Sequence, residues 1–151
     1  MTDGQGEDIE YRYHLPPRPR VLFVGRLAKD KAIDVTIRAM RHVVDDLDAH
    51  LLLVGRGDHQ RHLEKLASEL DLQDHIHFLG FVPEQDLPGL YRAVDLFAIA
   101  SVCEVQSLPT LQALATGVPV VAANALALPE IVLDGNDGFL ISPEDEKGMA
   151  E

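Results

Sequence analysis

Apolar residues in this chain fall into short blocks, and the spacing inside the blocks alternates between two kinds. Val21–Val24 is a continuous apolar run that stops at Gly25, which predicts a strand buried on both faces. From Asp30 to about Val44, Ile33, Ile37, Met40 and Val44 recur at three-to-four spacing, which predicts a helix with one apolar face. Asp30 or Asp34 is placed to cap its start. The alternation then repeats. Leu51–Val54, closed by Gly55, reads as a second strand, and Leu63, Leu66, Ala67 and Leu70 stripe a second helix. His75–Leu79, closed by Gly80, is a third strand; Leu87, Leu90 and Tyr91 mark a short third helix. Leu96–Ala100 is a fourth strand. Pro109 to Ala115 is a fourth helix, with Pro109 in its first turn and Gly117 at its end. Val118–Ala122, a short helix at Leu128–Leu133 and a strand at Gly138–Ile141 complete the series.

Short apolar strands alternating with helices through short loops predict an α/β fold, a doubly wound parallel sheet of Rossmann-like type. The expected strand order is 3-2-1-4-5-6, and right-handed crossovers bring every strand's C-terminal end to one edge. Ligands of such sheets bind at that edge. The segments to inspect are therefore Gly25–Lys31, Gly55–Asp58, Gly80–Glu84 and Ser101–Pro109. Residues 1–19, polar and ending in prolines, read as a tail or inter-domain linker. Residues 20–145 read as the domain, and 146–151 as a truncated C-terminal segment.

Composition narrows the partners. The 151 residues carry 25 acidic and 13 basic side chains, a net charge of −12, which argues against a nucleic-acid-binding face. A local anion site built from one or two cations and backbone N–H groups remains compatible with that charge. The single cysteine, Cys103, excludes an internal disulfide framework and suits a reducing, cytoplasmic setting. No apolar run of about 18 residues is present to span a membrane, and the N-terminus does not read as a signal peptide.

Three places carry chemistry. The loops after the first two strands lack the full G-x-G-x-x-G of a dinucleotide site, and no phosphate-binding G-x-x-x-x-G-K-[ST] occurs. Arg26 and Lys31, five residues apart after the first strand, suit a diphosphate clamp, Arg as a fork and Lys as a point charge. They equally suit an ordinary solvated turn. The stretch from Ser101 enters the fourth helix, whose start offers free N–H groups and a positive dipole end. There the backbone of Gln106, Ser107 and Leu108 and the Ser107 hydroxyl are anion-binding candidates. Glu104, in the loop above, is a strong acceptor suited to sugar hydroxyls, or an acid favoured by the helix dipole. His59 with His62, and His75 with His77, have the spacing of metal pairs, but no third ligand is evident, so no metal is expected. Asp45-Asp46-Leu47-Asp48 reads as a solvated turn.

Several strings in order, V-G-R-L-x-x-x-K, then A-x-A-x-G-x-P-V-V-A, then A-L-P-E-I-V-x-D-G-x-x-G-F-L, resemble retaining glycosyltransferases of family four. Those enzymes have the GT-B fold, two Rossmann-like domains facing across a cleft. From about residue 20 to 145 this chain is similar to the C-terminal, donor-binding half. The resemblance implies transfer of a hexose from a nucleotide diphosphate sugar to an acceptor hydroxyl with retention. It assigns Arg26 and Lys31 to the donor diphosphate, Glu104 to the transferred sugar, and the Gly80-Phe81-Val82 loop to the nucleotide base. Glu130, in A-L-P-E, is a local structural anchor. Glu104 through Ser107 also resembles lipid- and polyol-directed members that add glucose or mannose.

The family's second acid, eight residues after Glu104, is here Gln112. An amide accepts a ribose hydroxyl without charge assistance, a loss on the order of 1 kcal/mol. Ala32 stands where the family commonly has glycine and is strained if that backbone needs positive φ. No cofactor or metal is implied. The acceptor site and any membrane association belong to an N-terminal domain missing here, and the isolated chain is expected to be inactive. The alternatives are a non-catalytic nucleotide- or partner-binding module, for which Gln112 speaks, and a GT-B nucleotide-sugar epimerase.

Overall fold

The computed structural model describes residues 9–101, 108–123, 138–141 and 149. Six strands form one sheet: β1 (Arg20–Val24), β2 (His50–Val54), β3 (Ile76–Gly80), β4 (Leu96–Ile99), β5 (Val120–Ala123) and β6 (Gly138–Ile141). Their order is β3-β2-β1-β4-β5-β6. Every neighbouring pair is parallel. The connecting helices are α1 (Ile33–Val43), α2 (Gln60–Glu69), α3 (Leu87–Arg92) and α4 (Leu108–Ala115). The doubly wound parallel sheet and its strand order are those the apolar spacing predicts. The helix expected at Leu128–Leu133 lies outside the described residues.

The apolar runs become strands because both faces are covered. Leu22, Leu51, Leu52 and Leu53 are completely buried. Each such side chain contributes about 1.5–3 kcal/mol relative to exposure. Ile33, Ile37 and Met40 on α1 and Leu63 and Ala67 on α2 bury the stripes anticipated for them against the same core.

Helix α1 begins differently from expectation. A 3-10 turn at Lys29–Lys31 precedes it, and Ala32 enters the helix in the left-handed region, φ 51° and ψ 37°, with no side-chain cap. Neither aspartate caps: Asp34 accepts from Arg38 at 2.6 Å and Asp30 from Arg26 at 3.3 Å. Left-handed backbone costs a Cβ-bearing residue roughly 1–2 kcal/mol, offset in part by the looser unfolded chain of a glycine variant. Ala32→Gly is therefore expected to stabilise the protein by about 0.5–1 kcal/mol. The urea midpoint should rise with an unchanged slope. A lower midpoint counts against strain at Ala32.

The stretch read as tail or linker is docked on the domain from residue 9 onward. Residues 9–12 are helical and Ile9 is buried in the main core. Asp86 receives the Tyr13 hydroxyl at 2.6 Å and Arg12 Nη1 at 2.8 Å. The Tyr13 bond, with help from Arg12, holds the Asp86 carboxyl below the usual carboxylate range. Arg20, buried at the head of β1, donates to Pro16 O at 2.6 Å and to Ala93 O at 2.7 Å. Apart from the local bond to Pro16, these partners lie more than 70 residues apart in sequence, so local pattern does not reveal them. At the other end, Met149 is buried with Val35, Ala39, Ala100 and Val121, so contact with the domain extends past residue 145.

Candidate functional site

The parallel sheet sends the loops after β1, β2 and β3 to one edge, and two glycines lock the first two loops together. Gly25 N–H donates to Val54 O at 3.0 Å, Leu27 N–H to Arg56 O at 3.0 Å, and His59 N–H to Leu27 O at 3.0 Å. Gly55 N–H reaches across to Gly80 O at 2.8 Å, beside a register shift at Leu53/Val54. The backbones approach so closely that a Cβ on Gly55 would lie 1.8 Å from Gly25 O, and one on Gly57 would lie 2.1 Å from Leu27 O. The glycines of Gly55-Arg56-Gly57 thus serve loop-to-loop packing and leave no dinucleotide fingerprint to explain.

This zipper sets the cations. Arg26 follows Gly25 directly, is exposed, and holds Asp30 in an i,i+4 pair at 3.3 Å. Lys31 is half-buried and closes the 3-10 turn, its N–H bonded to Ala28 O at 3.0 Å. Arg56 is a third cation on this edge, missed by sequence reasoning. Its guanidinium lies 5.7 Å from the centroid of the Phe81 ring. Phe81 is 64% exposed while Val82 beside it is buried. An exposed aromatic face beside a guanidinium offers a planar stacking surface at the end of β3. The signal available was Arg56 standing between two glycines directly after a strand.

The loop after β4 meets the same turn. Ser101, fully buried, donates its hydroxyl to Asp30 O at 3.2 Å, which joins the end of β4 to the Lys29–Lys31 turn. Glu104, Gln106, Ser107 and Glu130 lie outside the described residues. Leu108 opens α4 and is exposed, and Gln112 is exposed further along that helix. The Tyr91 hydroxyl donates to Pro109 O at 2.9 Å and so pins the first turn of α4 to α3. Burial raises the Tyr91 phenol well above its ordinary range, so it stays protonated as the donor of that bond.

A family model described as Glycosyl transferases group 1 matches residues 18–151. The chain belongs to this family. Its six-stranded Rossmann-like sheet is one half of the GT-B architecture. The GDP-mannose-dependent alpha-(1-6)-phosphatidylinositol monomannoside mannosyltransferase of Mycolicibacterium smegmatis is 34% identical over 142 residues, 89% of this chain and 37% of the relative. The crystal structure of Anabaena Alr3699/HepE in complex with UDP-glucose matches with a TM-score of 0.88 at 27% identity, covering 97% of this chain and 41% of that one. The C-terminal domain of the group 1 family protein LpcC from Francisella tularensis matches with a TM-score of 0.84 at 28% identity, covering 99% of this chain and 78% of that one. This chain spans well under half the length of the curated relatives it matches. No helix among the described residues is long and apolar enough to cross a membrane.

Proposed function

We propose that this chain is the donor-binding domain of a glycosyltransferase. The intact enzyme moves a glucose- or mannose-type hexose from a nucleotide diphosphate sugar to an acceptor hydroxyl, with retention. The observation that carries the proposal is the joined edge of β1 and β4. There the Ser101–Asp30 bond holds the start of the Ser101–Leu108 segment against the turn bearing Lys31, with Arg26 on the same loop. A relative that uses GDP-mannose and a structural neighbour holding UDP-glucose support the class of donor.

In this reading Arg26 and Lys31 stabilise the negative charge that builds on the departing diphosphate, a contribution made with no metal. The sequence candidates Gln106, Ser107 and Leu108 would add backbone N–H groups to that field. Glu104 accepts hydroxyls of the transferred sugar. Gln112 accepts a ribose hydroxyl, and the Phe81–Val82 backbone meets the base. Arg56 stacked on Phe81 borders the base position. The acceptor and any general base sit on the other GT-B domain, so this chain alone binds donor and transfers nothing. Nucleotide sugar is the small-molecule partner.

Calorimetric titration of the 151-residue chain with UDP, GDP and ADP sugars tests the reading. One of the three should bind at up to millimolar concentration, and a folded chain that binds none of them rejects the site. Gln112→Glu restores charge to the ribose contact and should tighten that binding by about 3–10-fold, from roughly 1 kcal/mol of charge assistance. An unchanged affinity removes Gln112 from the site.

A further inference from the structure

The opposite edge of the sheet carries a second cluster that the donor site does not use. Strands β2 and β3 begin side by side, with Leu51 paired to Ile76 and Leu52 to His77. His50 opens β2, and His75 and His77 flank the first residue of β3, so the register stacks three imidazoles on one face. The His50 and His75 rings stack with centroids 5.1 Å apart at 23°, and His77 lies 5.1 Å from His50. Asp48, in the turn before β2, faces two of them. Its Oδ1 is 3.6 Å from His50 Nε2 and 3.7 Å from His75 Nδ1.

We propose that Asp48, His50 and His75 form a divalent transition-metal site, of zinc type, that clips the acidic turn before β2 to the start of β3. One ligand atom from each residue lies within 4.8 Å of the others. Ligands around a tetrahedral zinc, bonded at about 2.0–2.1 Å, stand roughly 3.4 Å apart, so the carboxylate–imidazole spacings need to shrink by only a few tenths of an ångström. Two imidazoles and a carboxylate favour zinc, cobalt or nickel over the oxygen-seeking magnesium and calcium. Water completes the fourth position. His77 supplies the outer support. Its Nε2 is 3.0 Å from His50 Nδ1, and when His50 Nδ1 carries the proton of that bond, His50 Nε2 presents its lone pair toward Asp48. Binding exchanges the 3.0 Å His75 Nδ1 bond to Ala49 O for a metal bond, with the His75 proton moved to Nε2.

The residue pattern hid this site. Spacing along the chain does not bring the set together: the fold supplies His50 from the neighbouring strand and Asp48 from the turn before it. The test uses the untagged 151-residue chain, stripped with chelator and titrated with Zn2+ by calorimetry and with Co2+ by visible absorbance. One equivalent of each should bind saturably, and Zn2+ should raise the melting temperature. Asp48→Ala, at an exposed position that leaves folding intact, and His75→Gln should each weaken Zn2+ at least about 10-fold. His77→Ala should weaken it by about 10–100-fold through loss of outer-shell support. A second histidine pair, His59 and His62, stacked 4.5 Å apart on the other edge, is the control. Absence of saturable binding overturns the proposal. So does unchanged affinity, relative to the unsubstituted chain, in Asp48→Ala and His75→Gln, or binding abolished by the His59→Ala/His62→Ala double variant.

Discussion

Gly55→Ala is expected to cost this protein about 3 kcal/mol or more, the sum of a steric clash and a backbone penalty. The added methyl would sit 1.8 Å from the Gly25 carbonyl oxygen, and φ at Gly55 is +136°, where a side chain is already strained. The obstructing atom is backbone within β1's own loop, so relief requires prying apart the β1 and β2 loops. Native domains have only about 5–15 kcal/mol to lose, and for this size the melting temperature should fall by roughly 6–12 °C. Gly117→Ala is the matched control. It also has positive φ, +81°, but a Cβ there meets nothing within 4 Å. Its cost should stay near the roughly 1–2 kcal/mol of left-handed backbone alone. Equal losses for the two variants, read from urea midpoints, would show that close approach of the loops is not what Gly55 serves.

Removing the Arg26 charge should act on binding and leave the fold untouched. Arg26→Ala and Lys31→Ala are each expected to weaken nucleotide diphosphate binding by about 10–100-fold, the worth of a charge-assisted hydrogen bond of roughly 1.5–3 kcal/mol. In an intact enzyme of this kind the same changes should lower turnover by about 100-fold or more, because charge on the leaving diphosphate peaks in the transition state. Among the described residues Arg26 pairs with Asp30, in an exposed i,i+4 pair worth at most about 0.5 kcal/mol, so the Arg26→Ala melting temperature should barely move. Wild-type affinity should also fall as salt is raised, since Arg26 is exposed. Arg41→Ala breaks a similar exposed pair, between Arg41 on α1 and Asp45 just past its end at 2.9 Å, and should leave affinity unchanged. If Arg26→Ala and Arg41→Ala prove indistinguishable in a titration with UDP and GDP, the diphosphate assignment fails.

The differences between expectation and structure share a cause. The helix expected from Asp30 begins at Ile33 because a 3-10 turn and left-handed Ala32 intervene, and periodicity does not register a change in the sign of φ. The proline-rich N-terminal stretch reads as linker because its anchors, Asp86, Asp95 and Ala93, arrive from remote parts of the chain. Periodicity does not single out Arg56, because its stacking partner Phe81 comes from the next strand's loop.

Alternating apolar blocks alone determined the six strands, helices α1 to α4, the parallel sheet and its order, because burial on both faces leaves a periodic trace in the residues themselves. Ordered motifs added the family and the candidate cations at Arg26 and Lys31. Tertiary structure alone decided which groups share a place: Gly55 against Gly25, Ser101 against the Lys31 turn, Arg56 over Phe81, and Asp48 beside His50 and His75. Each of these depends on the register of neighbouring strands or the meeting of separate loops. Such contacts join residues distant along the chain, and they leave no local period to read.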